Sequence, residues 1–142
     1  MQIEPYLFFD GNCEEALDFY QDALGGQVRQ LMRYGGSPMD TPELPAAWKS
    51  RVLHATLDVA GQRFMAADAM PGNSMEAYAG FSISVNIPQD RAKAEKIFHA
   101  LSSDGTVTQP FGPTFWGALF GMVVDKFGVP WMVNCDLAPA DR

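Results

Sequence analysis

The chain has 142 residues, 47% of them hydrophobic and 12% aromatic, so its length suggests one compact domain with a substantial core. Its formal net charge is −7, from 17 acidic and 10 basic residues. Because nucleic acids and anionic membrane surfaces are bound through Lys and Arg, we expect neither as a partner. No signal peptide and no membrane-spanning run is visible, which leads us to expect a cytoplasmic protein.

The first 26 residues predict a strand, a tight turn and a helix. Four consecutive apolar residues, Tyr6 to Phe9, are typical of a short strand. Asn12 suits the N-cap of the helix, and Glu15, three residues later, suits a capping box. Apolar residues recur with helical spacing from Cys13 to Leu24, and the pair Gly25-Gly26 ends the helix.

The rest of the first half predicts three more strands. The segment 51–59 alternates between two unlike faces, as a strand does. A short turn at Ala60-Gly61 joins it to 62–68, as in a hairpin. The segment 35–45, with three Pro and two Gly, predicts a long irregular loop. Trp48 follows this loop. It could cover a pocket, or it could anchor the loop on the core or on a partner. The predicted strands are Gln27–Tyr34, Arg51–Val59 and Gln62–Asp68.

The second half repeats this order. Pro88 predicts the start of a helix with Asp90 in its first turn. The segment 112–117 predicts an aromatic loop broken by Gly and Pro. Neither Cys13 nor Cys135 has the spacing of a zinc site, so we expect two buried thiols. The predicted strands are Phe81–Ile87, Thr106–Phe111, Ala118–Asp125 and Val129–Asp136.

The order strand–helix–strand–strand–strand therefore occurs twice. Leu7 aligns with Ser84 at the first strands, and Met65 aligns with Met132 at the last strands. The second offset is shorter because the first half holds the longer loop. We predict a single domain over 1–142 with a first module at 1–70, a linker at 69–80 and a second module at 80–137.

Two βαβββ modules of this size resemble the vicinal oxygen chelate superfamily, which includes glyoxalase I, bleomycin-resistance proteins and extradiol dioxygenases. The sequence motifs are most similar to those of its PhnB-like branch, over nearly the whole chain. The motifs are PYLFF and GNCEEAL near the start, HA at His54, AD and MPG within 67–72, Phe115-Trp116, and DKFGVPWMVN at 125–134.

The resemblance implies an α+β fold in which two βαβββ modules form a curved eight-stranded sheet around a cavity, with the helices on the convex side. It also implies a homodimer. In metal-dependent relatives, four cavity positions supply His or Glu ligands. Here those positions fall at Met65, Met132 and near Pro5 and Ser82. Since none is a good ligand for a hard or borderline divalent metal, we expect no metal and no cofactor.

Some members of this branch are labelled demethylubiquinone methyltransferases. Nothing in this sequence has the strand, Gly-rich loop and helix of a nucleotide-like cofactor site. The label therefore gains no support from the residues.

Strand parity predicts a cavity face that is apolar with a few hydroxyls, amides and one imidazole, as in a ligand pocket. His54 could act as an acid or base, or as a hydrogen-bonded wall residue. Asp68 could pair with His54 in catalysis or cap a turn, and Asp125 is expected to be a turn residue. The aromatic pair Phe115 and Trp116 could stack on a ligand or make a dimer or core contact. The predicted face holds Leu7, Phe9, His54, Thr56, Met65, Ser82, Ser84, Asn86, Val123, Met132 and Asn134.

Three hypotheses about function follow. The first is a metal-independent protein that binds a small molecule, with unassigned activity. The second is a lyase, isomerase or dioxygenase with a displaced metal site that uses His54 and Asp68. The third is a structural or regulatory dimer with a vestigial pocket.

Overall fold

A computed structural model describes residues 1–73 and 76–139. The chain divides into two compact units, Met1–Glu76 and Ala77–Arg142. The boundary falls in the predicted linker, of which positions 74 and 75 lie outside the described residues. Each unit holds one four-stranded sheet and one α-helix, so the predicted α+β class and the two βαβββ modules are confirmed. None of the described helices is long and apolar enough to cross a membrane.

In the first module, strand order and direction follow from the hairpin and from the helical crossover. The order across the sheet is β1-β4-β3-β2, and β1 runs parallel to β4 because α1 and two further strands separate them in the chain. The elements are β1 (Tyr6–Phe9), α1 (Cys13–Leu24), β2 (Gln27–Arg33), a short 3-10 helix (Ala46–Trp48), β3 (Val52–Val59) and β4 (Gln62–Asp68).

One face of this sheet packs against α1 and forms the core of the module. Tyr20 of the helix meets Phe64 of β4 edge to face, with ring centroids 5.9 Å apart. Burial of each large apolar side chain on this face stabilises the module by roughly 1.5–3 kcal/mol. The buried strand residues are Leu7, Phe9, Ala55, Leu57, Phe64 and Ala66.

The ends of α1 agree with the prediction at one terminus only. Gly25 ends the helix in the left-handed region, with φ of 71°. Asn12 occupies the N-cap position, but its side chain makes no capping hydrogen bond, so the predicted capping box was wrong. The Oδ1 atom of Asp68 instead accepts the backbone N–H groups of Gly11 and Cys13, at 2.8 and 3.0 Å. A residue at the end of β4 thus provides the cap that Asn12 was expected to provide.

The second module has the same topology, with the order β5-β8-β7-β6 and β5 parallel to β8. Its helix begins at Arg91, after the predicted start, because the Asp90 side chain accepts the Lys93 N–H and makes Asp90 the N-cap. The third strand continues to Pro113, into the predicted aromatic loop. The elements are β5 (Ile83–Asn86), α2 (Arg91–Leu101), β6 (Thr106–Pro113), β7 (Ala118–Val124) and β8 (Pro130–Asp136).

The strand registers correct the alignment of the two modules by one residue. Tyr6 pairs with Met65 in β4, and Ser84 pairs with Met132 in β8. Tyr6, and not Leu7, is therefore the counterpart of Ser84. Since successive side chains of a strand point to opposite faces, this shift places Leu7 and Phe9 on the helix-facing side. Their predicted place on the cavity face was wrong.

Candidate functional site

The uncovered face of the first sheet carries a cluster of large apolar side chains around one histidine. We call it the His54 face: Tyr6, Phe8, Met32, His54, Thr56 and Met65. Cross-strand pairing brings them together, because Met65 pairs with both Tyr6 and Thr56, and Met32 pairs with His54. Tyr6, Phe8 and Met32 remain 38%, 48% and 41% exposed. Such a group of exposed apolar side chains marks a binding surface more often than an inert one.

A hydrogen bond joins two members of the His54 face across the sheet. The Tyr6 hydroxyl lies 2.9 Å from His54 Nδ1, and the two rings are 5.7 Å apart at a tilt of 50°. Phe8 also stacks on Tyr6, with ring centroids 4.9 Å apart. Loss of water contact, and secondarily the Cys13 side chain, raises the pKa of Tyr6, which keeps it a neutral phenol at physiological pH.

The second nitrogen of His54 is less firmly engaged. Thr56 Oγ1 lies 3.5 Å from His54 Nε2, at the long limit of a hydrogen bond. An imidazole with one nitrogen held and the other only weakly engaged can donate a hydrogen bond to a ligand or accept one from it. The structure therefore places His54 and Thr56 together, as predicted, and adds Tyr6, Phe8 and Met32.

Asp68 does not belong to this face. Asp68 pairs with Phe9 of β1, on the side of the sheet that faces α1. Thr56 and Met65, which belong to the His54 face, pair on the opposite side. Its carboxylate is 2% exposed and accepts the N–H groups of Gly11 and Cys13 at Oδ1 and that of Val52 at Oδ2, at 2.8 Å. Of the two predicted roles, Asp68 takes the cap and does not pair with His54.

Asp125 has the corresponding role in the second module. Its Oδ1 accepts the N–H groups of Phe127 and Val129, and its Oδ2 accepts the indole N–H of Trp131 at 2.8 Å. The predicted turn residue is confirmed. A buried carboxylate that accepts several N–H groups stabilises the turn it closes.

Trp48 is an anchor on its own module. Its indole N–H donates to the carbonyl of Ala69 at 3.0 Å. The Arg51 guanidinium lies 3.8 Å from the Trp48 ring centroid, a cation–π contact. These contacts tie the long loop to the end of β4.

The uncovered face of the second sheet carries amides and thioethers. Asn134 donates to Asn86 Oδ1 at 2.9 Å and to Asp136 Oδ1 at 3.1 Å. Ser84 pairs with Met132 on this face, and Ser82 lies just before the strand begins. Val123 was predicted here but pairs with buried Trp131 and is itself buried, so that placement was wrong. The pairing places Met122 and Phe120 here instead.

Phe115 and Trp116 lie in the connection between β6 and β7. They meet edge to face at 5.0 Å, and Trp116 meets Phe120 at 5.6 Å. Phe115 is 97% exposed, which excludes the core contact that was one alternative. The pair borders a groove of about 490 Å³ that also includes Arg91 and Leu137. Ligand contact and dimer contact remain predictions for this pair.

The residues at the expected metal positions do not fit a divalent ion. The last-strand positions are Met65 and Met132. Their partners on the first strand of each module are Tyr6 and Ser84. Thioether, phenol and aliphatic hydroxyl are poor ligands for Mg²⁺, Mn²⁺, Zn²⁺ or Fe²⁺. Across residues 1–73 and 76–139, no three or more His, Cys, Asp or Glu side chains form a group that could hold a metal.

These modules, with their open mixed sheets, define the vicinal oxygen chelate fold. A glyoxylase/bleomycin resistance protein/dioxygenase domain from Frankia sp. shares the fold at a TM-score of 0.64 and 9% identity, over 98% of this chain and 94% of that one. Residues 1–134 match the family described as 3-demethylubiquinone-9 3-methyltransferase. The chain belongs to this PhnB-like family.

Three relatives cover almost the whole chain. Protein YjdN of Escherichia coli is 35% identical, over 94% of this chain and 95% of that protein. The crystal structure of PA1353 from Pseudomonas aeruginosa is similar at a TM-score of 0.86 and 46% identity, over 97% and 99%. A Bacillus cereus PhnB protein, described as a putative 3-demethylubiquinone-9 3-methyltransferase, is similar at a TM-score of 0.74 and 28% identity, over 97% and 100%.

Proposed function

We propose that this protein binds a small, largely apolar molecule on the His54 face and that it does so without a divalent metal. The observation that carries the proposal is the arrangement of Tyr6, Phe8 and Met32, half-exposed around a hydrogen-bonded His54. Ligand sites combine apolar walls with a few placed polar groups, and this face has both. The poor donor set at the expected metal positions supports the metal-independent part.

The face is poorly suited to remain in contact with water alone. A solvated sheet face normally alternates with charged or small polar residues, whereas β1 presents two aromatic rings here. Their stacking leaves ring surface exposed that a planar ligand would cover. His54 and Thr56 would then supply its polar contacts.

A fragment screen by ligand-observed NMR tests this proposal. We expect aromatic and cyclic fragments to bind at millimolar concentration, and His54→Ala to weaken the binding. His99→Ala is the matched control, because His99 is exposed on α2 of the other module. If no fragment binds, or if both variants bind as the wild type does, the proposed site is wrong.

The enzyme alternative needs a metal held by His54 with other ligands. Asp68, its expected partner, has its carboxylate occupied by three backbone N–H groups on the opposite face. Elemental analysis of protein purified without chelator, repeated on His54→Ala, separates the two cases. Near-stoichiometric metal that is lost in the variant would favour the enzyme, and we expect neither sample to contain it.

We also propose a homodimer, with Phe115 and Trp116 at or near the contact between subunits. The support is the nearly complete exposure of Phe115 next to a half-exposed Trp116. Large exposed aromatic side chains are common at protein interfaces. Light scattering should give about twice the chain mass of 15.6 kDa, and Phe115→Ser should shift the mass towards the monomer. A wild-type monomer at micromolar concentration would contradict the proposal.

A further inference from the structure

The inference concerns the ligand class of the His54 face and therefore rests on the proposed function. We infer that Tyr6 fixes His54 in the tautomer with the proton on Nε2, and that this N–H donates to the carbonyl oxygen of an uncharged ligand. Tyr6 is then a positioning residue and His54 the group that contacts the ligand. The sites and roles follow from three observations on the same face.

The first observation is the hydrogen bond at Nδ1. A phenol is a strong donor and a neutral imidazole nitrogen a strong acceptor, so the 2.9 Å contact favours Tyr6 O–H donating to Nδ1. A neutral imidazole that accepts at one nitrogen carries its proton on the other. His54 therefore presents an N–H group at Nε2.

The second observation is the weak partner of that N–H. The Thr56 hydroxyl is 3.5 Å from Nε2, which leaves the N–H only loosely satisfied. The thioethers and aromatic rings of this face accept hydrogen bonds poorly. The amide of Gln30, which pairs with Thr56, lies against Met32, with its N–H donating to the Met32 sulfur at 3.7 Å. A ligand oxygen at Nε2 would gain a hydrogen bond that the protein alone does not form well.

The third observation decides between a carbonyl and a carboxylate. An anion would need a cation nearby, and Arg63 lies on the same side of β4, two residues from Met65. Its Nε atom is 3.0 Å from both carboxylate oxygens of Glu4, so its charge is already compensated. A neutral carbonyl needs only the N–H donor, and it agrees better with the apolar walls.

The test uses two probes of the same shape, acetophenone and α-methylstyrene, in which a CH₂ group replaces the carbonyl oxygen. NMR titration should show acetophenone binding about three- to tenfold more tightly, as one added hydrogen bond implies. The preference should disappear in His54→Ala and persist in His99→Ala. Long-range ¹⁵N NMR of the free protein should show the Nε2–H tautomer, and Tyr6→Phe should reduce its population.

The outcomes separate the inference from the proposed function. Equal binding of the two probes, or an Nδ1–H tautomer in the free wild type, would overturn the inference and leave an apolar site in place. Failure of both probes to bind would overturn the proposed function, and the ligand class with it. Preferential binding of acetophenone that depends on Tyr6 and His54 supports both.

Discussion

Replacement of Asp68 by Asn should destabilise the first module far more than its size change suggests. The carboxylate is 2% exposed and accepts three backbone N–H groups, two at Oδ1 and one at Oδ2. Asn keeps one acceptor oxygen, but its NH₂ group then faces either the Val52 N–H or the N–H pair of Gly11 and Cys13. At least one buried donor loses its partner.

Hydrogen bonds to a charged group contribute about 1.5–3 kcal/mol each, and an unsatisfied buried donor costs about 1–3 kcal/mol. We expect Asp68→Asn to lower the free energy of unfolding by about 2–4 kcal/mol. With a urea m-value of about 1–3 kcal/mol/M, the midpoint should fall by at least about 0.7 M. Urea unfolding followed by far-UV circular dichroism measures it.

Asp58→Asn is the matched control, since Asp58 accepts the Gly61 N–H at 3.1 Å in an exposed turn. We expect that variant to lose less than about 1 kcal/mol. If Asp68→Asn unfolds at the same urea concentration as the control, the three N–H groups at the Asp68 carboxylate do not stabilise the module. Asp125→Asn should reproduce the large effect in the second module, because three donors also face that carboxylate.

Two further predictions concern packing and pH. In Gly121→Ala the new Cβ would lie 2.7 Å from the Phe98 ring, so the free energy of unfolding should fall by about 1–3 kcal/mol in thermal or urea unfolding. Gly112→Ala is the control and should be nearly neutral, because open space surrounds that position. Equal losses in the two variants would contradict the packing of α2 on β7. Burial, and next the charges of Asp68 and a neighbouring glutamate, raise the pKa of the Cys13 thiol, so a thiol reagent should not modify it in the native protein at pH 8. The unfolded thiol loses its proton near pH 9 while the folded one keeps it, so stability should fall above pH 9, by up to about 1.4 kcal/mol per pH unit. Cys13→Ala should reduce that slope, and an unchanged slope would refute the assignment.

The local elements could be predicted because their signals lie close together in the chain. The stripe from Cys13 to Leu24 and the terminal Gly25 defined α1 without any information on its neighbours. The alternation of β3 and the Gly turn at Gly61 predicted a hairpin, and the structure pairs Val59 with Gln62 across that turn. Repetition of the same order in the second half then gave the two modules.

The faces of the first strand could not be predicted in the same way. Tyr6 to Phe9 are all apolar, so no alternation shows which side chains face α1. Only the pairing with β4, distant in sequence, determines that Tyr6 and Phe8 share a face with His54. The alignment of Leu7 with Ser84 erred by one residue, and in a strand a shift of one residue reverses the face. Tyr6, the most informative neighbour of His54, was missed for this reason.

The roles of the two buried aspartates show a second limit of the sequence. Asp68 ends its strand next to turn-forming residues, so both a cap and a pairing with His54 agreed with the sequence. The donors that it meets lie in three separate segments, at Gly11, Cys13 and Val52. Asp125 was easier to predict because the Phe127 and Val129 donors lie within four residues of it.

Metal-independent binding on the His54 face is the central claim, and methyl NMR of the methionines tests it most directly. Met32 and Met65 lie on that face and carry methyl groups that report a nearby ligand. Protein dialysed against EDTA should show saturable shifts of both methyl signals when acetophenone is added. Zn²⁺ should leave these shifts unchanged, and His54→Ala should need about three- to tenfold more acetophenone to reach them. Shifts that appear only after Zn²⁺ is added, or no shifts at either methionine, would contradict the claim.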